Sequence, residues 1–115
     1  MQQLAPFLDY LQNERGLSPR TQKAYHRDLE RFSEELEMKQ ISDPGQVSEH
    51  VVRGFIARLH RQGLGSRSIQ RMLSSIRAYY RWLMKEGLSQ HNPAAAVRAP
   101  RAPKKLPGTL DADAV

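Results

Sequence analysis

The 115-residue chain has no cysteine. That excludes a disulfide framework and thiolate-held zinc, and it fits a reducing compartment. No stretch approaches the roughly 20 apolar residues that a membrane span needs. The opening "MQQLAPFLDYLQNE" carries no basic leader and shows helical spacing instead. The expectation is a soluble, cytoplasmic protein with no membrane association. Glycine-rich phosphate loops are missing, and the acids form no obvious catalytic pair. His26, His50, His60 and His91 lack metal-ligand spacing and are read as surface or boundary residues, so no metal or cofactor is expected. No small-molecule substrate is expected either. Tyr10, Tyr25, Tyr79 and Tyr80 invite a nucleophile reading, but no pattern of base and oxyanion groups accompanies them, and core packing is preferred.

Acids are scarce in one region only. Residues 1–60 hold eight Lys/Arg and nine Asp/Glu, whereas residues 61–105 hold ten Lys/Arg and a single acid, Glu86. The net charge of +6 therefore belongs to the second half. Such one-sided self-repulsion is usually kept for an anionic partner, with nucleic acid the leading candidate.

What is present is helical periodicity, with no strand-like alternation and no fixed-period repeat. Leu4, Phe7, Leu8 and Leu11 predict a first helix over about 3–15, stopped by Gly16. Those four residues suit core packing or contact with a neighbouring subunit. Ser18 and Pro19 start a second helix with Tyr25, Leu29, Phe32 and Leu36 on one face. "SDPG" is a turn, and Ser48 caps a third helix over about 49–62, ending at Gly63. Ser66 is expected to cap the fourth helix, which Gly87 closes. "SQHNPAAAV" is read as one short helix started by Asn92 and Pro93. "RAPRAPKKLPG" then packs three prolines and four positive charges into eleven residues and reads as a linker. The acids of "TLDADAV" suit the first turn of a further helix. The chain is thus expected to be the N-terminal part of a longer protein, divided into a helical domain (1–97), a linker (98–110) and the start of a second domain (111–115).

On the fourth helix, Ile69, Met72, Leu73, Ile76, Tyr80 and Leu83 share one side at 100° per residue. Arg67, Gln70, Arg71, Ser74, Arg77, Arg81 and Lys85 share the other, with no acid at i+4 to pair with them. A solvated surface is the bland reading, but the missing acids argue against it. The second helix adds Arg20, Lys23, Arg27 and Arg31 from its N-terminal half, while Glu34, Glu35 and Glu37 crowd its C-terminal end. That order opposes the helix dipole, and an anion at the N-terminus would reverse the sign. Free N–H groups there, with Ser18, Arg20, Thr21 and Lys23, make a phosphate site. Simple capping by Ser18 and Thr21 coexists with that role. The eight aromatics fall mostly on apolar faces, which suits a duplex better than a single strand. Trp82 lies off the main stripe, suited to core or interface packing or to contact with bases. Helices fit the B-form major groove, making Arg67, Gln70 and Arg71 candidate base readers.

"LSPRTQKAYHRDLERF", "GLGSRSIQRMLSSIRAYYRWL" and "NPAAAVRAPRAPKKLP", in that order, resemble the N-terminal core-binding domain of tyrosine site-specific recombinases, the phage integrase family. The resemblance covers about residues 3–110, and its specificity lies in the ordered combination. It implies an all-α, four-helix SAM-like domain that clamps one face of duplex DNA, followed by a basic proline-rich linker. It places Ser18, Arg20, Thr21, Lys23, Arg27, Arg67, Ser68, Arg71, Ser74 and Arg77 at or near the DNA; the donor face of the fourth helix adds Gln70 and Arg81, and the basic linker adds Lys104 and Lys105. It also implies a parent enzyme that cuts and rejoins DNA through a 3′-phosphotyrosine, working with a partner recombinase in a heterotetramer. Catalytic residues would belong to the domain after the linker, so none of the tyrosines here inherits the nucleophile role. A helical module that binds an acidic protein is the rival reading.

Overall fold

A computed structural model of the chain describes residues 4–100. Those residues form an all-helical domain with no strand among them. α1 (Leu4–Tyr10) widens into one π-helical stretch, Leu11–Arg15, and stops at Gly16, whose φ of +63° is the left-handed conformation that glycine adopts without strain. α2 (Pro19–Met38) begins as the sequence indicates. Ser18 accepts a hydrogen bond from the Thr21 N–H at 3.2 Å, and Pro19 fills the first helical position. The "SDPG" segment forms a single 3₁₀ turn, Pro44–Gln46, with Asp43 Oδ1 accepting from the Gly45 N–H. α3 (Glu49–Arg61) is capped by Ser48 through the Val51 N–H, and α4 (Ser66–Lys85) follows.

Helices α2, α3 and α4 end in the same way. The Ile41, Leu64 and Leu88 N–H groups reach back five residues to the carbonyls of Leu36, Leu59 and Leu83. The residue that turns the chain is left-handed each time: Gln40, Gly63 and Gly87. At Gln40 no glycine is present, so this ending carries a strain that the other two avoid.

Two sequence expectations need correction. Gly65, not Ser66, is the residue preceding the first turn of α4, and no side chain caps that end. Glycine competes well at this position, so the helix starts at Ser66, one residue earlier than a Ser66 cap would allow. "SQHNPAAAV" forms turns instead of a helix. Asn92 Oδ1 accepts the Ala94 N–H at 3.1 Å as a helix cap would, but the Ala95 and Val97 N–H groups bond three residues back, to Asn92 and Ala94, and close turns. These turns fold back on α4, and Ala94 and Val97 are buried against it.

The core is made by α2 lying along α4, with α3 closing on α4 and α1 on α2. Leu29, Phe32 and Leu36 of α2 meet Val52, Phe55, Ile56 and Leu59 of α3 and the apolar side of α4. Each such side chain contributes roughly 1.5 to 3 kcal/mol by leaving water. Trp82 is 8% exposed, which settles its place in the core: α1 brings Phe7 within 5.8 Å of the indole and within 5.2 Å of Tyr79. Tyr79 and Tyr80 are also buried, while Tyr10 and Tyr25 are half-buried. Among the described residues no helix is long and apolar enough to cross a membrane. The predicted linker beyond residue 100, with Lys104 and Lys105, and the segment 111–115 lie outside the described residues.

Candidate nucleic-acid interface

The two helices that carry the charged rows, α2 and α4, pack directly on one another. On α2, Arg20, Lys23 and Arg27 are exposed and, with Pro19, line a hollow of about 320 Å³ beside the capped N-terminus. No acid occupies the first turn of α2. Ser18 donates to the Thr21 hydroxyl at 3.0 Å while accepting the Thr21 N–H, so both hydroxyls serve the cap. On α4, Arg67, Gln70, Ser74 and Arg81 are exposed and Ser68 is half-buried. Gln70, Ser74 and Arg77 line a second hollow, about 420 Å³, together with Arg98 and Ala99 of the returning segment. Among the described residues, Arg20, Lys23, Arg27, Arg67 and Arg81 have neither an ion pair nor a hydrogen-bonded partner for their side chains.

Two arginines of the predicted row are engaged instead. Arg71 donates from Nε to Asp28 Oδ2 at 2.8 Å and from Nη2 to Oδ1 at 3.0 Å. This bidentate fork joins α4 to α2 and holds the guanidinium pKa above its ordinary value through the Asp28 hydrogen bonds, against a smaller opposing effect of burial. Asp28 is 2% exposed, while 41% of the Arg71 side chain faces solvent. Arg77 turns toward the segment after α4, donating from Nε to the Ala94 carbonyl at 2.9 Å and from Nη2 to that of Val97. Its guanidinium staples the returning turns to the helix.

The sequence reading missed Asp28. Helical spacing offered a signal: Asp28 follows Tyr25 by three residues and precedes Phe32 by four, on the shoulder of the apolar face. A carboxylate placed there needs a cation from another helix. Glu35, one heptad on and also 2% exposed, likewise meets an arginine from another helix, Arg58 of α3, as an ion pair. The basic end of α4 has a different neighbour, since Arg81 and Lys85 border an aromatic hollow with Phe7, Tyr10 and Trp82, and Lys85 Nζ sits 5.3 Å from the Tyr10 ring centre.

Among the described residues no group of three or more His, Cys, Asp or Glu side chains could hold a metal. The arrangement offers hydrogen-bond donors and positive charge, which is equipment for holding an anion.

Comparison with known proteins supplies a family for the chain. Residues 4–87 match the family model described as phage integrase, N-terminal SAM-like domain. The chain is 44% identical over 110 residues to a tyrosine recombinase XerC of Pseudomonas aeruginosa, covering 96% of this chain and 36% of that protein. It is 46% identical over 108 residues to a tyrosine recombinase XerC of Xanthomonas campestris pv. campestris, covering 94% and 34%. A tyrosine recombinase XerC of Azotobacter vinelandii is 43% identical over 110 residues. The chain thus spans about a third of the length of these relatives, 34% to 37%. No solved structure matches it.

Proposed function

The chain belongs to the phage integrase N-terminal SAM-like domain family, and from that membership we propose that it is the duplex-binding, non-catalytic part of a XerC-like tyrosine recombinase. The observation that carries this reading is the set of unpaired cations on two directly packed helices: Arg20, Lys23 and Arg27 on α2, with Arg67 on α4. Ser18, Thr21, Ser68, Gln70, Arg71, Ser74, Arg77 and Arg81 complete the surface that faces DNA, and Lys104 and Lys105 extend it along the linker. Phosphates are held by the cations and by the α2 N-terminus. Base edges are met by the first turns of α4 in the major groove.

In the whole protein, the binding domain ends near residue 97, a linker runs over 98–110, and a catalytic domain starts by 111–115. That enzyme cuts and rejoins duplex DNA to resolve chromosome dimers at cell division, in a heterotetramer with a XerD-like recombinase. It acts in the cytoplasm and needs no cofactor.

Titrating the chain onto a fluorescent duplex at two salt concentrations, with polyglutamate as competitor, tests the reading. The logarithm of affinity should fall by about 0.9 per phosphate contact for each tenfold rise in salt, and the duplex should outcompete polyglutamate of equal charge. Equal competition by polyglutamate would point to an acidic protein partner instead. Arg20→Ala should weaken binding alike on all sequences, because a phosphate contact carries no base information.

A further inference from the structure

We propose that Asp28 is a specificity-determining positioning residue, acting through Arg71 to fix which edge of a guanidinium meets the DNA. The inference rests on the duplex-binding reading above and deepens it. A guanidinium carries five N–H donors. Asp28 occupies Nε–H and one hydrogen of Nη2, leaving the outward fork of Nη1 and Nη2. The carboxylate is 3% exposed and fixed to α2, so the fork direction is set by helix packing before any DNA arrives. That end-on fork matches the paired acceptors O6 and N7 of guanine in the major groove.

The charge balance favours a base over a phosphate. Arg20, Lys23, Arg27 and Arg67 are unpaired and keep their full attraction for the backbone. Arg71 is the cation of this surface whose charge is cancelled by a buried acid. Cancelling charge weakens attraction for any phosphate, whereas holding the fork still preserves directional hydrogen bonding. An acid beneath a DNA-binding surface opposes general affinity, and orientation is what it supplies in return.

The test selects duplexes, randomised over about 10 bp (one helical turn), with the 115-residue chain and sequences the bound pool. The wild type should enrich guanine at one position. Asp28→Asn should flatten that position while binding the unselected pool at least as tightly, with a steeper salt dependence of up to about one phosphate contact. In an Arg71→Ala background, Asp28→Asn should leave the sequence profile unchanged, which a purely structural role would not predict. Arg71→Lys keeps the charge but lacks the fork; it should flatten the same position, and it decides the matter if Asp28→Asn fails to fold. Enrichment that survives in folded Asp28→Asn or in Arg71→Lys overturns the proposal. A wild type that binds duplex with a flat profile overturns it alone, and a wild type that binds no duplex overturns the duplex-binding reading with it.

Discussion

Asp28 and Glu35 stand seven residues apart on the same shoulder of α2, each 2% exposed, and each meets an arginine from another helix. Asp28 uses both oxygens in an aligned fork with Arg71. Glu35 Oε1 lies 2.5 Å from Arg58 Nη1 without the alignment of a hydrogen bond, and Oε2 lies 3.9 Å from Lys39 Nζ. The Arg58 guanidinium also sits 5.7 Å from the centre of the Phe55 ring. One acid directs its arginine; the other is neutralised by cations gathered around it. Only the first pair lies in the basic row, so on the proposal above the same two-residue device serves orientation at the middle of α2 and bundle closure toward its C-terminal end.

Breaking each pair from the arginine side has the largest expected effect. Arg71→Ala strands the buried Asp28 carboxylate, and Arg58→Ala leaves Glu35 with Lys39, 3.9 Å away and half exposed. Each should lower stability in urea by about 2 to 3 kcal/mol, less than the roughly 3 to 5 kcal/mol of a fully buried pair because water reaches both arginines. Arg71→Ala alone should also relax sequence preference, by about 1 to 3 kcal/mol at one base pair. Comparable preference loss in Arg58→Ala would erase the distinction between the two pairs.

A smaller difference should separate the amide substitutions. Asp28→Asn turns an acceptor into a donor facing Arg71 and should cost about 1 to 2 kcal/mol. Glu35→Gln has no aligned hydrogen bond to lose, and thermal melts should place its cost below about 1 kcal/mol.

The smallest effects sharpen the same contrast one residue apart on α4. Tyr80 donates its hydroxyl to the Pro44 carbonyl at 2.5 Å, pinning the 3₁₀ turn, whereas the Tyr79 hydroxyl is buried with no hydrogen-bond partner among the described residues. Tyr80→Phe should cost about 1 kcal/mol, and Tyr79→Phe should be neutral or slightly stabilising. Burial, reinforced by the charge of Asp43 and, for Tyr80, by Tyr79, pushes both phenols above the ordinary tyrosine pKa. Because the folded state holds these protons more tightly, the associated stability is intact below about pH 10 and is lost as pH rises beyond it. Replacing both tyrosines by phenylalanine should remove that alkaline loss from a pH series of melts.

Helix boundaries were legible because local chemistry sets them: Ser18 and Ser48 cap, and Gly16, Gly63 and Gly87 turn the chain left-handed. Gln40 hides the end of α2 because nothing in its side chain announces a positive φ. The charged faces were legible from periodicity, but their partners were not. Asp28 lies 43 residues from Arg71, and the carbonyls that hold Arg77 belong to turns the sequence suggested as a helix. Periodicity gives a side chain's direction and leaves open what stands opposite it. Trp82 shows the same limit, since its burial depends on where α1 lies.

The most direct measurement is amide chemical-shift mapping of the chain by NMR as duplex DNA is added. Duplex binding through α2 and α4 predicts shifts concentrated at Arg20, Lys23, Arg27, Arg67, Gln70 and Ser74, with the exposed residues of α3, such as His50, Arg53 and His60, unmoved. Shifts centred on α3, or none at saturating duplex, would contradict it.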